Sequence, residues 1–138
     1  MLQPNHPMPT EDTNKSPTSA PRLATLKGVL IATALPMSWL VLFYSLAVHL
    51  RLALGRWPKS IGDNPHDWLF NIHYESTLLV GSLMWLSLIA LPLIVIVLLA
   101  FPRIRRYAIH VLIYAVAVGS TFLLMHLAPG SFVYWWFD

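Results

Sequence analysis

The sequence predicts an all-α membrane protein with three transmembrane helices and a short amphipathic surface helix in the first loop. Three stretches contain no Asp, Glu, Lys or Arg: residues 28–50, 76–101 and 107–128. At a rise of about 1.5 Å per residue, each stretch is long enough to cross a hydrocarbon layer of roughly 30 Å as a helix. The composition, with 57% hydrophobic and 11% charged residues, is also typical of membrane proteins.

The chain divides into three segments. Residues 1–24 contain repeated Pro among Asn, Thr, Ser and Lys. Such a segment buries too little apolar surface to offset its ordering entropy, so a disordered polar tail is predicted. Residues 25–128 are predicted to form one three-span bundle. Residues 129–138 are rich in Phe, Tyr and Trp, which favours an aromatic anchor along the membrane interface, or alternatively a docking tail for a partner subunit.

The first loop, residues 51–75, carries several turn and cap signals. Gly55 suits a left-handed end of the first helix, and Trp57 with Pro58 indicates the interface and an extended exit. Asn64 is predicted to cap a new helix with Asp67 in its first turn. An apolar stripe then predicts the amphipathic surface helix: Trp68, Leu69 and Ile72.

Part of this loop has a recognisable pattern. Residues 51–58 read Arg-Leu-Ala-Leu-Gly-Arg-Trp-Pro, and residues 63–65 read Asp-Asn-Pro. The segment resembles a loop of small uncharacterised bacterial polytopic membrane proteins, with the pattern Arg-x-x-Leu-Gly-x-Trp-Pro followed by Asp-x-Pro. The resemblance covers the loop and its adjoining helix ends, and it implies no activity, cofactor or partner.

Basic residues predict the orientation. Six of them fall on one side of a three-span chain: Lys15, Arg22, Lys27, Arg103, Arg105 and Arg106. The other side has three: Arg51, Arg56 and Lys59. Because the cytoplasmic side carries the basic excess, we expect a multi-pass protein of the cell (inner) membrane with a cytoplasmic N-terminus and an extracytoplasmic C-terminus. The small net charge of +3 does not indicate a nucleic-acid partner.

Four histidines are predicted at the outer face: His49, His66, His73 and His126. His66 and His73 stand about 10 Å apart on a straight helix, too far for one directly bound metal ion. His49 and His126 lie at similar depth in two spans, so they could ligate a b-type haem axially, with Arg51 near its propionates. Hydrogen bonding of both imidazoles across helices is the alternative.

Two small polar groupings remain. Ser38, Ser45 and His49 share a stripe of the first span, which could line a quinone pocket or make interhelical hydrogen bonds. Asp67, His73 and Glu75 form the nearest acid–base group, an arrangement typical of a solvated surface helix. The chain has no cysteine, which excludes disulfides and thiolate chemistry. Catalysis is therefore not favoured.

The function predicted from these features is that of a non-catalytic accessory protein or small subunit of a larger membrane complex. Its partners would be the lipid bilayer and other membrane protein subunits, and no cofactor is required. The main alternative is a haem b- or quinone-binding redox membrane anchor using His49 and His126. A transporter or channel is less favoured, because such pathways often use charged residues within the membrane.

Overall fold

The computed structural model describes residues 25–60 and 62–138. In chain order these ranges contain α1 (Leu26–Leu54), α2 (Trp68–Ala100), a 3₁₀ helix (Pro102–Tyr107), α3 (Ala108–His126) and α4 (Gly130–Phe137). Three segments are long and apolar enough to cross a membrane: α1, α2, and the 3₁₀ helix together with α3. The all-helical class and the three long apolar helices are confirmed. The tail prediction for residues 1–24 lies outside the described residues.

Helix α1 is the central element of the bundle. It begins after Thr25, whose hydroxyl accepts a hydrogen bond from the backbone N–H of Gly28 at 3.3 Å. It ends at Gly55, which has φ = 66° and confirms the predicted left-handed cap. Most helix–helix packing joins α1 to α2 and to α3, whereas α2 and α3 hardly contact each other. A hydrogen bond between residues distant in sequence joins α1 to α3: the Tyr44 hydroxyl donates to the Leu124 carbonyl at 2.6 Å.

Helix α2 takes in the residues that were expected to form the surface helix. Its N-cap is Asp67, whose carboxylate accepts from the Leu69 N–H at 3.1 Å, and not Asn64. No Gly or Pro occurs between Trp68 and Ser76, so the backbone hydrogen bonds run on into the span without interruption. The apolar stripe is therefore exposed on the first turns of α2 and is not a separate element of the first loop.

Two glycines allow close approaches between helices. A Cβ at Gly81 of α2 would lie 2.8 Å from Nε1 of Trp39, a side chain that is buried in α1. Gly28 at the start of α1 sits directly against the imidazole of His110 in α3. In contrast, nothing lies within 4 Å of a Cβ built at Gly119. The described part of the bundle thus uses Gly28 and Gly81 for its close packing.

The aromatic segment folds back on the bundle as α4. Phe132 and Trp135 are buried, and the Phe132 ring lies 4.9 Å from that of Phe43 in α1. The Trp135 indole donates to the Asn64 side-chain oxygen in the first loop at 3.1 Å. This hydrogen bond places the first loop and the C-terminal segment at the same end of the molecule, which we call the outer end.

Candidate functional site

The candidate site is a polar cluster between α1 and α2 near the outer end. Ser45 and His49 stand one turn apart on α1, and both face His73 of α2. The Nδ1 atoms of His49 and His73 are 3.2 Å apart, and Nε2 of His73 lies 2.9 Å from the Ser45 hydroxyl oxygen. We refer to Ser45, His49 and His73 as the outer histidine cluster.

The contact of the Ser45 hydroxyl with the Leu42 carbonyl favours one of the two proton orders that the cluster allows. The single hydroxyl hydrogen of Ser45 is donated to the Leu42 carbonyl at 3.0 Å. In this order the Ser45 oxygen accepts from the Nε2–H of His73. In neutral His73 this leaves Nδ1 as an acceptor, so His49 donates its Nδ1–H to it. The order His49 to His73 to Ser45 leaves Nε2 of His49 unprotonated.

Neighbouring residues hold the two imidazoles in place. The buried Phe70 ring packs edge-on against His49, with centroids 5.8 Å apart. The Thr77 hydroxyl, also buried, donates to the His73 backbone carbonyl at 2.8 Å. Both rings are half-buried, so the cluster is supported on one side and accessible on the other.

The other predicted site residues lie apart from this cluster. His126 is exposed at the end of α3, and His66 is exposed in the first loop. Among residues 25–60 and 62–138, no hydrogen bond or ring contact joins His49 to His126. Their joint ligation of a haem stays a prediction. The Arg51 guanidinium, predicted near haem propionates, lies over the Trp57 ring at 5.7 Å.

His73 is the residue of the cluster that the sequence reasoning did not pair with His49. It was placed on a separate surface helix, and only the continuity of α2 brings it level with the outer turns of α1. The sequence does contain a signal for one continuous helix, because no Gly or Pro separates residue 68 from the second apolar stretch.

The structure separates the three members of the predicted acid–base group. Of the predicted acid–base group, Asp67 caps α2, His73 faces His49, and Glu75 is exposed. Within residues 25–60 and 62–138, no group of three or more His, Cys, Asp or Glu is placed to hold a metal ion.

The first loop is tied by an ion pair beside the cluster. Arg56 donates to both carboxylate oxygens of Asp63, at 2.8 and 3.0 Å, and the Lys59 backbone N–H donates to the same carboxylate at 2.7 Å. These hydrogen bonds, with that of Arg56 the largest effect, lower the pKa of Asp63 from 3.8 to about 2. These contacts hold Arg56, Lys59 and Asp63 together in the first loop.

Three long apolar helices around a largely apolar interior define the chain as a multi-pass membrane protein. No protein-family model, curated protein or solved structure matches the chain. Its function is accordingly argued from its own surfaces and side chains.

Proposed function

We propose that this membrane protein is a non-catalytic accessory protein or small subunit of a larger membrane complex. The observation that carries the proposal is the uncovered inner half of α2. The five consecutive residues from Leu93 to Val97 are between 39% and 64% exposed. Since successive residues turn about 100° around a helix, these positions sample its whole circumference. Leu98 is buried, whereas the side chains from Pro92 to Val97 and those of Leu99 and Ala100 are exposed.

Helix α3 offers a second uncovered surface. Leu112, Val116 and Leu123 are exposed along one face, and the open position of Gly119 lies within it. Lipid tails are as apolar as these side chains, so helices associate in membranes through close packing, which a glycine on the contact face permits. The uncovered faces of α2 and α3 would contact partner helices within the membrane.

The outer aromatic segment contributes less to this proposed interface. Phe132 and Trp135 pack within the protein itself, and Tyr134 and Phe137 are the exposed large side chains of α4. We therefore expect partner contacts chiefly inside the membrane, with a smaller contribution from these two rings.

Site-specific photo-crosslinking in native membranes tests the proposal. Benzoylphenylalanine at Ile96 of α2, which is 60% exposed, should give one discrete adduct with another membrane protein subunit that also co-purifies in gentle detergent. The matched control is Val41 of α1, which is 66% exposed and should give no such adduct. A monodisperse protein that crosslinks only to lipid at both positions contradicts an accessory role. Adducts only with a second copy of the chain contradict it as well.

A second candidate function is a haem b- or quinone-binding redox anchor using His49 and His126. The observation that favours it is the proton order of the outer histidine cluster. Histidines that ligate metals usually donate their other ring N–H to an acceptor and ligate through the free nitrogen, and in the favoured proton order His49 donates to His73 in this way. Nε2 of His49 is such a nitrogen.

An absorption spectrum of the purified protein tests this second candidate. Reducible Soret and alpha bands that disappear in both His49→Ala and His126→Ala would support haem ligation. The control His66→Ala should retain the bands, because His66 lies exposed in the loop. A flat visible spectrum after expression with sufficient haem contradicts the haem candidate.

A further inference from the structure

The inner end of the molecule contains a crevice where α2 and α3 both pack on α1 and leave space between them. It has a volume of about 660 Å³ and is open on one side. The first turns of α1, the middle of α2 and the first turns of α3 line it. Its volume falls within the range of about 300–1,000 Å³ that is usual for ligand pockets.

A second groove lies beside this crevice. It has a volume of about 390 Å³ and runs between α2 and α3 past Val95, Leu99 and Ala115. Leu91 and Val111 line both spaces, so these two side chains form a ridge between two adjacent apolar grooves. We call the pair the inner grooves.

Each inner groove has a basic side chain among its lining residues. Lys27 and His110 line the first groove, and Arg105 lines the second. All three lie in the first turns of α1 and α3 or in the 3₁₀ helix, at the inner end. The remainder of both walls is almost wholly apolar. Each groove therefore has a cationic end and an otherwise apolar wall.

One polar atom of the first groove lacks a partner. Nδ1 of His110 is buried and makes no hydrogen bond to any described residue. The hydroxyls deeper in this groove are already paired, because Ser87 and Tyr114 hydrogen-bond to each other. The hydroxyl groups of Ser87 and Tyr114 are thus satisfied within the protein, and a ligand's polar head would find its partners at the cationic end.

Charge at this end is of one sign within the described residues. Lys27, Arg103, Arg105 and Arg106 surround the grooves, whereas the described acidic residues (Asp63, Asp67, Glu75 and Asp138) belong to the outer loop, the first turns of α2 and the end of α4. Basic pockets between transmembrane helices are suited to anionic lipid head groups.

We propose that the inner grooves bind one anionic phospholipid. Its two acyl chains lie on either side of the Leu91–Val111 ridge, and its phosphate lies among Lys27, His110 and Arg105. Two adjacent grooves, each with a basic residue in its lining, match a two-chain anionic lipid better than a fatty acid or a quinone, which has a single tail. The grooves share Ile94, Val95 and Leu112 with the surface proposed for partner helices. The proposal goes beyond the accessory role because it concerns a lipid, and lipid retention is measured separately from crosslinking at Ile96.

Native mass spectrometry of the full chain tests the proposal. The protein is released from nanodiscs that contain equal amounts of phosphatidylglycerol and phosphatidylcholine with identical acyl chains. We expect retention of one phosphatidylglycerol per chain in preference to phosphatidylcholine. Because each basic residue near a membrane surface contributes about fivefold in anionic lipid affinity, Lys27→Gln and Arg105→Gln should each lower retention by about that factor. The matched control is Lys59→Gln in the outer loop, which should have no effect.

Two further arms separate the ligand classes. Single-chain lysophosphatidylglycerol and a decyl quinone, each offered at the same concentration, should be retained less than the two-chain lipid. Ala115→Phe, which fills the second groove, should weaken two-chain binding and leave single-chain binding unchanged. Equal retention of both two-chain lipids, equal loss in Lys59→Gln and Lys27→Gln, or preferred quinone binding would each overturn the proposal. The charge variants keep the test decisive if Ala115→Phe fails to fold.

Discussion

Gly81 of α2 packs closely against Trp39 of α1. Trp39 is 1% exposed and also packs edge-on against Phe122 at 5.5 Å, so its indole has little room to move. We expect Gly81→Ala to destabilise the bundle by about 1–3 kcal/mol, since the new methyl group would lie 2.8 Å from the Trp39 nitrogen. The thermal unfolding midpoint in detergent measures this effect.

Gly119→Ala is the matched control for this substitution. It also replaces a helical glycine, but no atom lies within 4 Å of the added Cβ. Alanine has a helix propensity that is better than that of glycine by up to about 1 kcal/mol, so the thermal unfolding midpoint of this variant should stay the same or rise. Equal midpoints for the two variants would show that the Trp39 contact does not limit packing.

Some residue-scale features of the site could be predicted from the sequence. Gly55 is recognisable as a cap because only glycine adopts positive φ without strain. The shared stripe of Ser45 and His49 follows from helical spacing alone. The contact of His49 with His73 could not be predicted in the same way, since it depends on how far α2 extends beyond the membrane and how α2 is rotated against α1.

At the scale of elements, we expect the closed conformation of the first loop to lose stability at acid pH, because Asp63 becomes protonated. Its pKa in the folded protein is about 2, below the ordinary 3.8, so protonation favours the open loop. The stabilisation is fully present above about pH 4 and is lost as the pH falls through about 2. Hydrogen exchange of the Lys59 amide, which donates to Asp63, measures loop closure.

We expect the protection of this amide, corrected for intrinsic exchange, to be constant from neutral pH to about pH 4 and to fall below that. In the control Asp63→Asn, protection should be lower throughout and should not change over this range, because the titrating carboxylate is gone. Full protection of the wild-type amide at pH 2 would contradict the role of the ion pair.

Helix α4 should stabilise the outer end through its buried ring. Phe132→Ala removes a side chain that is 0% exposed and contacts Phe43, so we expect a loss of about 3–5 kcal/mol. The control Phe137→Ala removes the same side chain at a position that is 53% exposed, and it should cost much less. Chemical unfolding in detergent compares the two. Similar losses would mean that α4 does not pack on α1 in solution.

The elements show where hydropathy patterns succeed and where they fail. The charge-free stretches predict the helices that can span the membrane, because charged groups are costly in hydrocarbon. They do not predict where a helix begins in water. Residues 68–75 belong to α2 because their backbone hydrogen bonds continue those of the span. A hydropathy profile does not report backbone hydrogen bonding, so it does not predict this continuation.

For the whole molecule, the arrangement of helices was less predictable than their number. The central position of α1 depends on which helix faces carry Trp39, Phe43 and Leu46, all of which are buried. The faces of three apolar helices look alike in sequence, since lipid and protein contacts both favour apolar side chains. The inner grooves are a consequence of this arrangement and have no sequence motif.

The orientation of the whole molecule in the membrane involves two separate questions: which segments share a side, and which side that is. The Trp135–Asn64 hydrogen bond requires the first loop and the C-terminal segment to share one side, whichever side that is. The basic excess further predicts that this side is extracytoplasmic. Because the chain has no cysteine, single cysteines report position without background. Ser60 and Ser131 are exposed at the outer end, and Phe101 is exposed at the inner end.

A membrane-impermeant maleimide applied to intact cells should label Ser60→Cys and Ser131→Cys, because both thiols would face the reagent. Phe101→Cys should be labelled only after the membrane is permeabilised. Labelling of Phe101→Cys alone would reverse the orientation yet keep the fold, since Ser60 and Ser131 would still behave alike. Labelling of only one of Ser60→Cys and Ser131→Cys would contradict the fold itself, because a hydrogen bond cannot join segments on opposite sides of a bilayer.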